Sequence, residues 1–269
     1  MRLALYAHYS GSGGLALYVL FYLRKLRDLG FRICFISNSA IPQSREQELR
    51  ELCEKIIQRE NTGYDFAMWR RALAEYELSE FEELLLTNSS IVGPLHPLQP
   101  LWQYPAVSQC DFWGLTDNDE FGRHLQSYFM LFRRQVLEHP CFREFWCSVL
   151  PFRDKQVVIG SYEIGLTRWL EEHGLRWNVL FPQEDIHALF LKRLTISEKL
   201  KNRVRPIWLP RNTPMRLPDL LLERGMPFLK VGLLRCEEEM QDRVDSAMRA
   251  LRSPNVPADI LNELRMTAG

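Results

Sequence analysis

The chain has 269 residues, with 34 Lys and Arg balancing 34 Asp and Glu, enough for one large α/β domain or one domain with an appendage. Zero net charge excludes a global field that would draw in nucleic acid or an anionic membrane, although local patches stay open. The six cysteines, Cys34, Cys53, Cys110, Cys141, Cys147 and Cys236, form no C-x-x-C pair, which points to a reducing, cytoplasmic compartment.

The opening M-R-L-A-L-Y-A-H-Y-S has too short an apolar run for a signal peptide. No stretch approaches the roughly 18 apolar residues of a membrane span. Arg2 to Ala7 is predicted as a strand and Ser10 to Gly14 as a Gly-rich loop. Leu15 to Leu29 follows as a helix stopped by Gly30, and Phe31 to Ser37 as a second buried strand, together a βαβ unit with parallel strands. Pro42 to Glu54 is a charged helix and Lys55 to Arg59 a short strand. Asn61-Thr62-Gly63 turns into a helix from Tyr64 to about Tyr76, and Phe81 to Leu86 is the next strand. Beyond Gly93-Pro94 the pattern predicts a short helix, a strand over Cys110 to Leu115, an acidic loop, and a strand from Leu125 to Phe132 that leads into a helix. Val157 to Glu172 reads as a helix stopped by His173-Gly174, and Leu175 to Phe181 as a strand. Ile186 to Arg205 reads as a basic helix, and Pro206 to Gly269 as short helices, the most regular over Glu237 to Leu251.

The expected architecture is therefore a mostly parallel sheet flanked by helices, whose ligands would bind at the carboxyl ends of the strands. G-S-G-G-L-A in the first loop fits the pattern G-x-G-x-x-A, which places a pyrophosphate at a helix N-terminus. A dinucleotide site would add an acidic residue after the second strand, and Ser37-Asn38-Ser39 has none. A tight βα turn and a nicotinamide enzyme are both compatible with the loop. Asp65, in the first turn of its helix, is open to two readings, favourable placement against the helix dipole or a ligand role.

Six blocks in order resemble the rhamnan synthesis protein F family of bacterial glycosyltransferases. They are N-T-G-Y-D-F-A-M-W from Asn61, L-L-L-T-N-S-S-I-V-G-P-L from Leu84, D-F-W-G-L-T-D from Asp111, H-L-Q-S-Y-F from His124, Y-E-I-G-L-T from Tyr162 and P-F-L-K-V-G-L-L-R from Pro227. The resemblance implies a GT-A-like (Rossmann-like) domain over residues 1–205, with a helical C-terminal extension, 206–269, packed on it. It also implies inverting transfer of a deoxyhexose, L-rhamnose from a dTDP-sugar, onto a polysaccharide, O-antigen or lipid-linked glycan acceptor. The expected place is the cytoplasm, peripheral at the inner membrane face, beside other glycosyltransferase subunits and without nucleic acid.

Transfer with inversion needs a base that takes the acceptor hydroxyl proton, a contribution of roughly 10² to 10⁴ in rate. The resemblance makes Glu163 the first choice, with Asp111, Asp117 and Asp119 in reserve. His8, Asn61, Gly63, Tyr64, Asp65, Asn88, Ser89 and Ser90 are the expected donor contacts, His124, Gln126 and Tyr128 the acceptor contacts, and Lys230 a phosphate cation. The leaving diphosphate needs positive charge, from Mg²⁺ or Mn²⁺ or from protein cations. Here the chain departs from the family: Asn88-Ser89-Ser90 stands where the usual pattern resembles Asn-Asp-Ser. Three outcomes follow: metal held by Asn88 and a more distant Asp, metal-free transfer on an Arg or Lys, or a non-catalytic GT-A-like module that binds nucleotide sugar or glycan.

Overall fold

The computed structural model describes residues 1–11, 13–195, 209–235, 242, 244–245 and 256–266. Strand β1 (Arg2–His8) pairs in parallel with β2 (Phe31–Ser37), and the connecting helix α1 (Leu17–Asp28) completes the expected βαβ unit. Helix α2 (Gln43–Leu52) leads to β3 (Lys55–Gln58), and α3 (Tyr64–Leu73) leads to β4 (Glu83–Asn88), both strands parallel to their neighbours. Alternate residues of β1 face opposite layers. Ala4 and Tyr6 join α1 on one side, while Leu3, Leu5 and Ala7 join α3 on the other. A strand covered on both faces needs a continuous apolar run, which is why L-A-L-Y-A reads so plainly. Trp69 of α3 ties the layers together by donating to the Leu5 carbonyl at 3.2 Å.

The second half of the sheet mixes directions. After β5 (Ile91–Val92) and the short helix α4 (Pro105–Ser108) come β6 (Phe112–Asn118), β7 (His124–Leu125) and β8 (Phe129–Arg133). The order is β3-β2-β1-β4-β8-β6-β7; β8 runs antiparallel to both β4 and β6, while β9 (Trp177–Phe181) pairs in parallel with β6. The outcome is the mostly parallel, helix-flanked sheet that the sequence predicts.

Three expectations need correction. Leu125 to Phe132 is not one strand. The backbone turns between β7 and β8, where the Gln126 amide bonds to Thr116 and the Ser127 amide to Glu163. Following α5 (Arg134–Glu138) and α6 (Pro140–Ser148), the helix expected from Val157 starts earlier, because Asp154 caps the amides of Gln156 and Val157. It runs as α7 (Lys155–Val158), a π-helical turn over Ile159–Ile164, and α8 (Gly165–Glu172). Single π turns inside helices often mark functional positions. The third correction concerns the C-terminal region, which is not purely helical. Beside α10 (Thr213–Arg216), α11 (Pro218–Glu223) and α12 (Ala258–Met266) it holds β10 (Leu229–Lys230), antiparallel to β5.

This stitching is close. Gly93 has φ 145°, and a Cβ there would stand 2.4 Å from the Pro227 carbonyl, so no side chain fits. Helix α9 spans Gln183–Arg193; the rest of the basic run, the 205/206 boundary and most of Glu237 to Leu251 lie outside the described residues. Among the described residues no helix is long and apolar enough to cross a membrane.

Candidate active site

A cleft of about 1260 Å³ opens over the carboxyl ends of β1, β2 and β4, lined by His8, residues 9–11 and 13–16, Asn38, residues 61–65, Asn88, Ser89 and Ser90. Strand ends carry free backbone groups and hand over to loops, so polar side chains collect there without disturbing the core. All eight expected donor contacts, His8, Asn61, Gly63, Tyr64, Asp65, Asn88, Ser89 and Ser90, lie on this cleft.

Their partners separate what is free from what is fixed. His8 is buried, stacks on Phe35 and shares a 2.9 Å hydrogen bond with Ser37, and burial lowers its pKa to about 4. It is neutral at pH 7 and carries no phosphate charge. Gly63 (φ 73°) and Tyr64 (φ 51°) both take left-handed backbone, and a Cβ on Gly63 would come within 2.6 Å of the Pro151 Cα. The turn aims Asp65 across to β4, where Asn88 Nδ2 donates to its Oδ2 at 2.7 Å. Asn88 Oδ1 in turn accepts from the Ser90 amide (3.0 Å) and hydroxyl (2.6 Å). Burial raises the Asp65 pKa to about 6, opposed by the Asn88 hydrogen bond.

Lys230 arrives from β10. Its ammonium donates to Ser90 Oγ at 3.2 Å and sits 3.7 Å above the Tyr128 ring, a cation–π contact. Burial lowers its pKa to about 8, while Glu163 and Asp65 both act to raise it. Glu163, on the π-helical turn, acts on Asp65 as well, so the three groups lie within electrostatic reach of one another. The Ser127 amide donates to Glu163 Oε1 at 3.1 Å; among the described residues Oε2 has no hydrogen-bond partner.

The remaining expected residues lie elsewhere. Asp111 precedes β6 at the opposite, amino end of the sheet, where its carboxylate accepts from the Arg176 amide at 2.8 Å. It cannot reach the cleft. Asp117 is buried with both oxygens engaged, by the Gln183 amide and Arg123 Nε, each at 2.7 Å, and Asp119 faces Arg211 at 3.9 Å. His124, Gln126 and Tyr128 are buried and do not line the cleft. His124 Nδ1 meets the Gly122 carbonyl at 2.7 Å, and the Thr116 hydroxyl meets Gln126 Oε1 and the Tyr128 hydroxyl. Tyr128 enters the site only through the face of its ring.

Several cleft residues carry no sequence signal of their own: Asn38, Arg45, Arg153, Lys155 and Glu263. Glu263 comes from α12, at the far end of the chain.

A divalent cation does not fit this donor set. The Ser89 hydroxyl accepts from the Tyr9 amide and donates to the Tyr9 carbonyl, at 3.0 and 3.1 Å, so it serves to join two loops. Asn88 Oδ1 is held by Ser90. Among the described residues no three of His, Cys, Asp and Glu converge. Among the cations, Lys230 acts on Asp65 more strongly than Lys155 does.

An open α/β sheet with a polar cleft at its strand ends is a ligand-binding fold. The chain belongs to the rhamnan synthesis protein F family, whose model matches residues 33–252. It is 30% identical over 203 residues to virulence protein VirA of Vibrio anguillarum, a match covering 71% of this chain and 65% of that protein. The chain thus spans somewhat under two thirds of that relative's length. Similar solved structures include a Bacillus anthracis putative glucose-1-phosphate thymidylyltransferase, with TM-score 0.45, 10% identity, and 67% of this chain and 87% of that one covered. Another is residues 1–349 of S. aureus TarS, with TM-score 0.43, 14% identity, and coverage of 97% and 82%. Likenesses this distant say nothing of substrate.

Proposed function

We propose that the protein transfers a sugar from a nucleoside diphosphate donor to a glycan acceptor. The observation that carries this reading is the meeting of Asp65–Asn88, Lys230 and Glu163 beside a cleft large enough for a nucleotide sugar. Asp65 and Asn88 hold hydroxyls of the donor. Glu163 takes the proton of the acceptor hydroxyl as that oxygen bonds to the anomeric carbon, and the anomeric C–O bond to phosphate breaks with its electrons leaving on the diphosphate. Lys230 faces the developing charge from a partly desolvated position, where such an interaction is strongest. Direct attack inverts the anomeric centre.

Within this reading L-rhamnose on a dTDP carrier is the donor and a bacterial polysaccharide, O-antigen or lipid-linked glycan the acceptor. Family membership is what supports both. Residues 1–205 form the GT-A-like unit, and 206–269 supply Lys230; the protein works in the cytoplasm at the inner membrane face, with partner transferases. A panel of nucleotide sugars tested for transfer and hydrolysis, with and without Mn²⁺, decides the matter. Release of nucleoside diphosphate that needs Glu163 supports the proposal, and absence of turnover with every donor refutes it.

A second reading, a nucleotide-sugar-binding module without turnover, rests on Ser89, whose hydroxyl is spent on the Tyr9 backbone. Calorimetric binding without turnover in the same panel selects it. Protection against thermal unfolding by a nicotinamide cofactor instead would favour the dinucleotide pattern of the first loop.

A further inference from the structure

The chain from Leu150 to Lys155, at the junction of α6 and α7, is exposed yet firmly held. The Tyr162 hydroxyl accepts from the Leu150 amide at 2.6 Å and donates to the Leu150 carbonyl at 3.3 Å. The Tyr64 hydroxyl donates to the Arg153 carbonyl at 3.2 Å, and Asp154 caps the amides of Gln156 and Val157. Pro151 lies so close to Gly63 that no side chain fits between them. The N-T-G turn therefore seats this segment against the cleft. Its backbone is fixed, but its two cations are not. Arg153 and Lys155 are exposed and line the cleft, and among the described residues neither side chain has an ion pair or a hydrogen bond. Arg45, another cation of the cleft, faces Glu48 at 3.6 Å. Lys155 also lies within electrostatic reach of Lys230 and Asp65. Like charges drawn to one side of a cleft repel each other, and an anion between them removes that cost.

We propose that Arg153 and Lys155, together with Lys230, form a diphosphate-binding site on the α7 side of the cleft. This rests on the reading of the cleft as the site of a glycosyl transfer. Arg153 offers a planar fork for phosphate oxygens, and Lys155 a movable point charge. Lys230 is held in place by Ser90 and the Tyr128 ring, so the site has one fixed cation and two that adjust to the ligand. The pair supplies positive charge where the donor set does not fit a divalent cation. Two substrates of such a reaction carry a diphosphate, the nucleotide donor and a lipid-linked acceptor. Leu150 and Val157 flank the cations, 52% and 40% exposed, and do not line the cleft. That apolar border suits the tail of the second kind of ligand.

The test is calorimetric titration of the full chain with inorganic pyrophosphate in the presence of EDTA. Arg153→Ala and Lys155→Ala should each weaken binding about fivefold, and the double variant about twentyfold, while Lys155→Arg retains most of the affinity. Arg143→Ala, which removes an exposed cation of α6 outside the cleft, should change nothing. An equal loss in Arg143→Ala means attraction by surface charge alone and overturns the proposal. So does a wild type that binds no pyrophosphate, or a double variant of native circular dichroism that binds it unchanged. Titrations with dTDP and with geranyl diphosphate identify the source of the group. A loss in the double variant with dTDP alone assigns the pair to the donor. A loss with geranyl diphosphate that Leu150→Ser deepens assigns it to the acceptor. Pyrophosphate binding that needs the pair, without turnover of any nucleotide sugar, keeps the site and removes the transferase reading. Sugar transfer that ignores both substitutions does the reverse.

Discussion

Two polar clusters crown the same edge of the sheet, and they have opposite fates. Over β1 and β4, Asp65, Asn88 and Ser90 border a cleft, with Lys230 bonded to Ser90 and Glu163 acting on Asp65 and Lys230 beside them. Over β6 and β7, Thr116, Asp117, Asn118, His124 and Gln126 are buried, and the bonds among Thr116, Gln126 and Tyr128, and those of Asp117 to Arg123 and Gln183, close on themselves. Buried polar groups must be paired or they cost stability. The second cluster is therefore a wall that holds β6, β7 and β9 together, and through the Tyr128 ring it supports Lys230 beside the cleft. Polarity at a strand end marks either outcome equally well.

Replacing one carboxylate from each cluster tests this contrast most strongly. Glu163→Gln should lower turnover about 10²-fold or more, with donor affinity nearly unchanged, measured by single-turnover kinetics and calorimetry. Asp117→Asn should leave turnover within a few-fold while lowering the urea midpoint. A reversed pattern, with Asp117 controlling turnover and Glu163 stability, would exchange the roles of the clusters. Next in size is Thr116→Val, which leaves Gln126 and Tyr128 without a shared hydroxyl. A loss of about 1–3 kcal/mol of stability is expected, with no change in donor binding.

These contrasts explain what was legible in the sequence. The four parallel strands from β1 to β4 announce themselves because burial on both faces demands apolar runs such as Phe31 to Ser37. The cleft loops were legible as Asn61-Thr62-Gly63 and Asn88-Ser89-Ser90, where turn chemistry and family pattern coincide. His124 and Gln126 were not separable from cleft residues, because the bonds that absorb them run to Gly122 and Thr116, a matter of register rather than residue type. β10 has two residues and no period, and the Leu17–Glu263 contact joins the two ends of the chain. Nothing local encodes either.

Lys230 joins the two clusters, and Lys230→Met should show it. Donor affinity should fall about tenfold, yet stability at pH 7 should not fall. With its folded pKa lowered to about 8 by burial, the lysine contributes stability that is present above its unfolded pKa and lost as pH falls through 8. The variant should therefore gain on wild type as pH falls from about 10 to 7, followed by urea unfolding. Equal pH dependence of the two proteins would place the ammonium in water and separate it from the wall.

The smallest expected effect concerns Asp65, whose carboxyl burial raises from 3.8 to about 6. A raised folded pKa means that the folded state holds a proton the unfolded chain releases. The resulting stability is complete below about pH 4, declines between 4 and 6, and is gone above 6. Asp65→Asn keeps an acceptor for Asn88 Nδ2 and removes the proton. Wild type should thus lose about 1–2 kcal/mol relative to the variant between pH 4 and 7, after allowance for partial exposure. Urea midpoints at unit pH intervals measure it. A difference that stays flat with pH would mean that Asp65 is solvated like a surface carboxylate; the cleft would then lack the desolvation that lets Lys230 and Glu163 act strongly on a bound diphosphate and sugar.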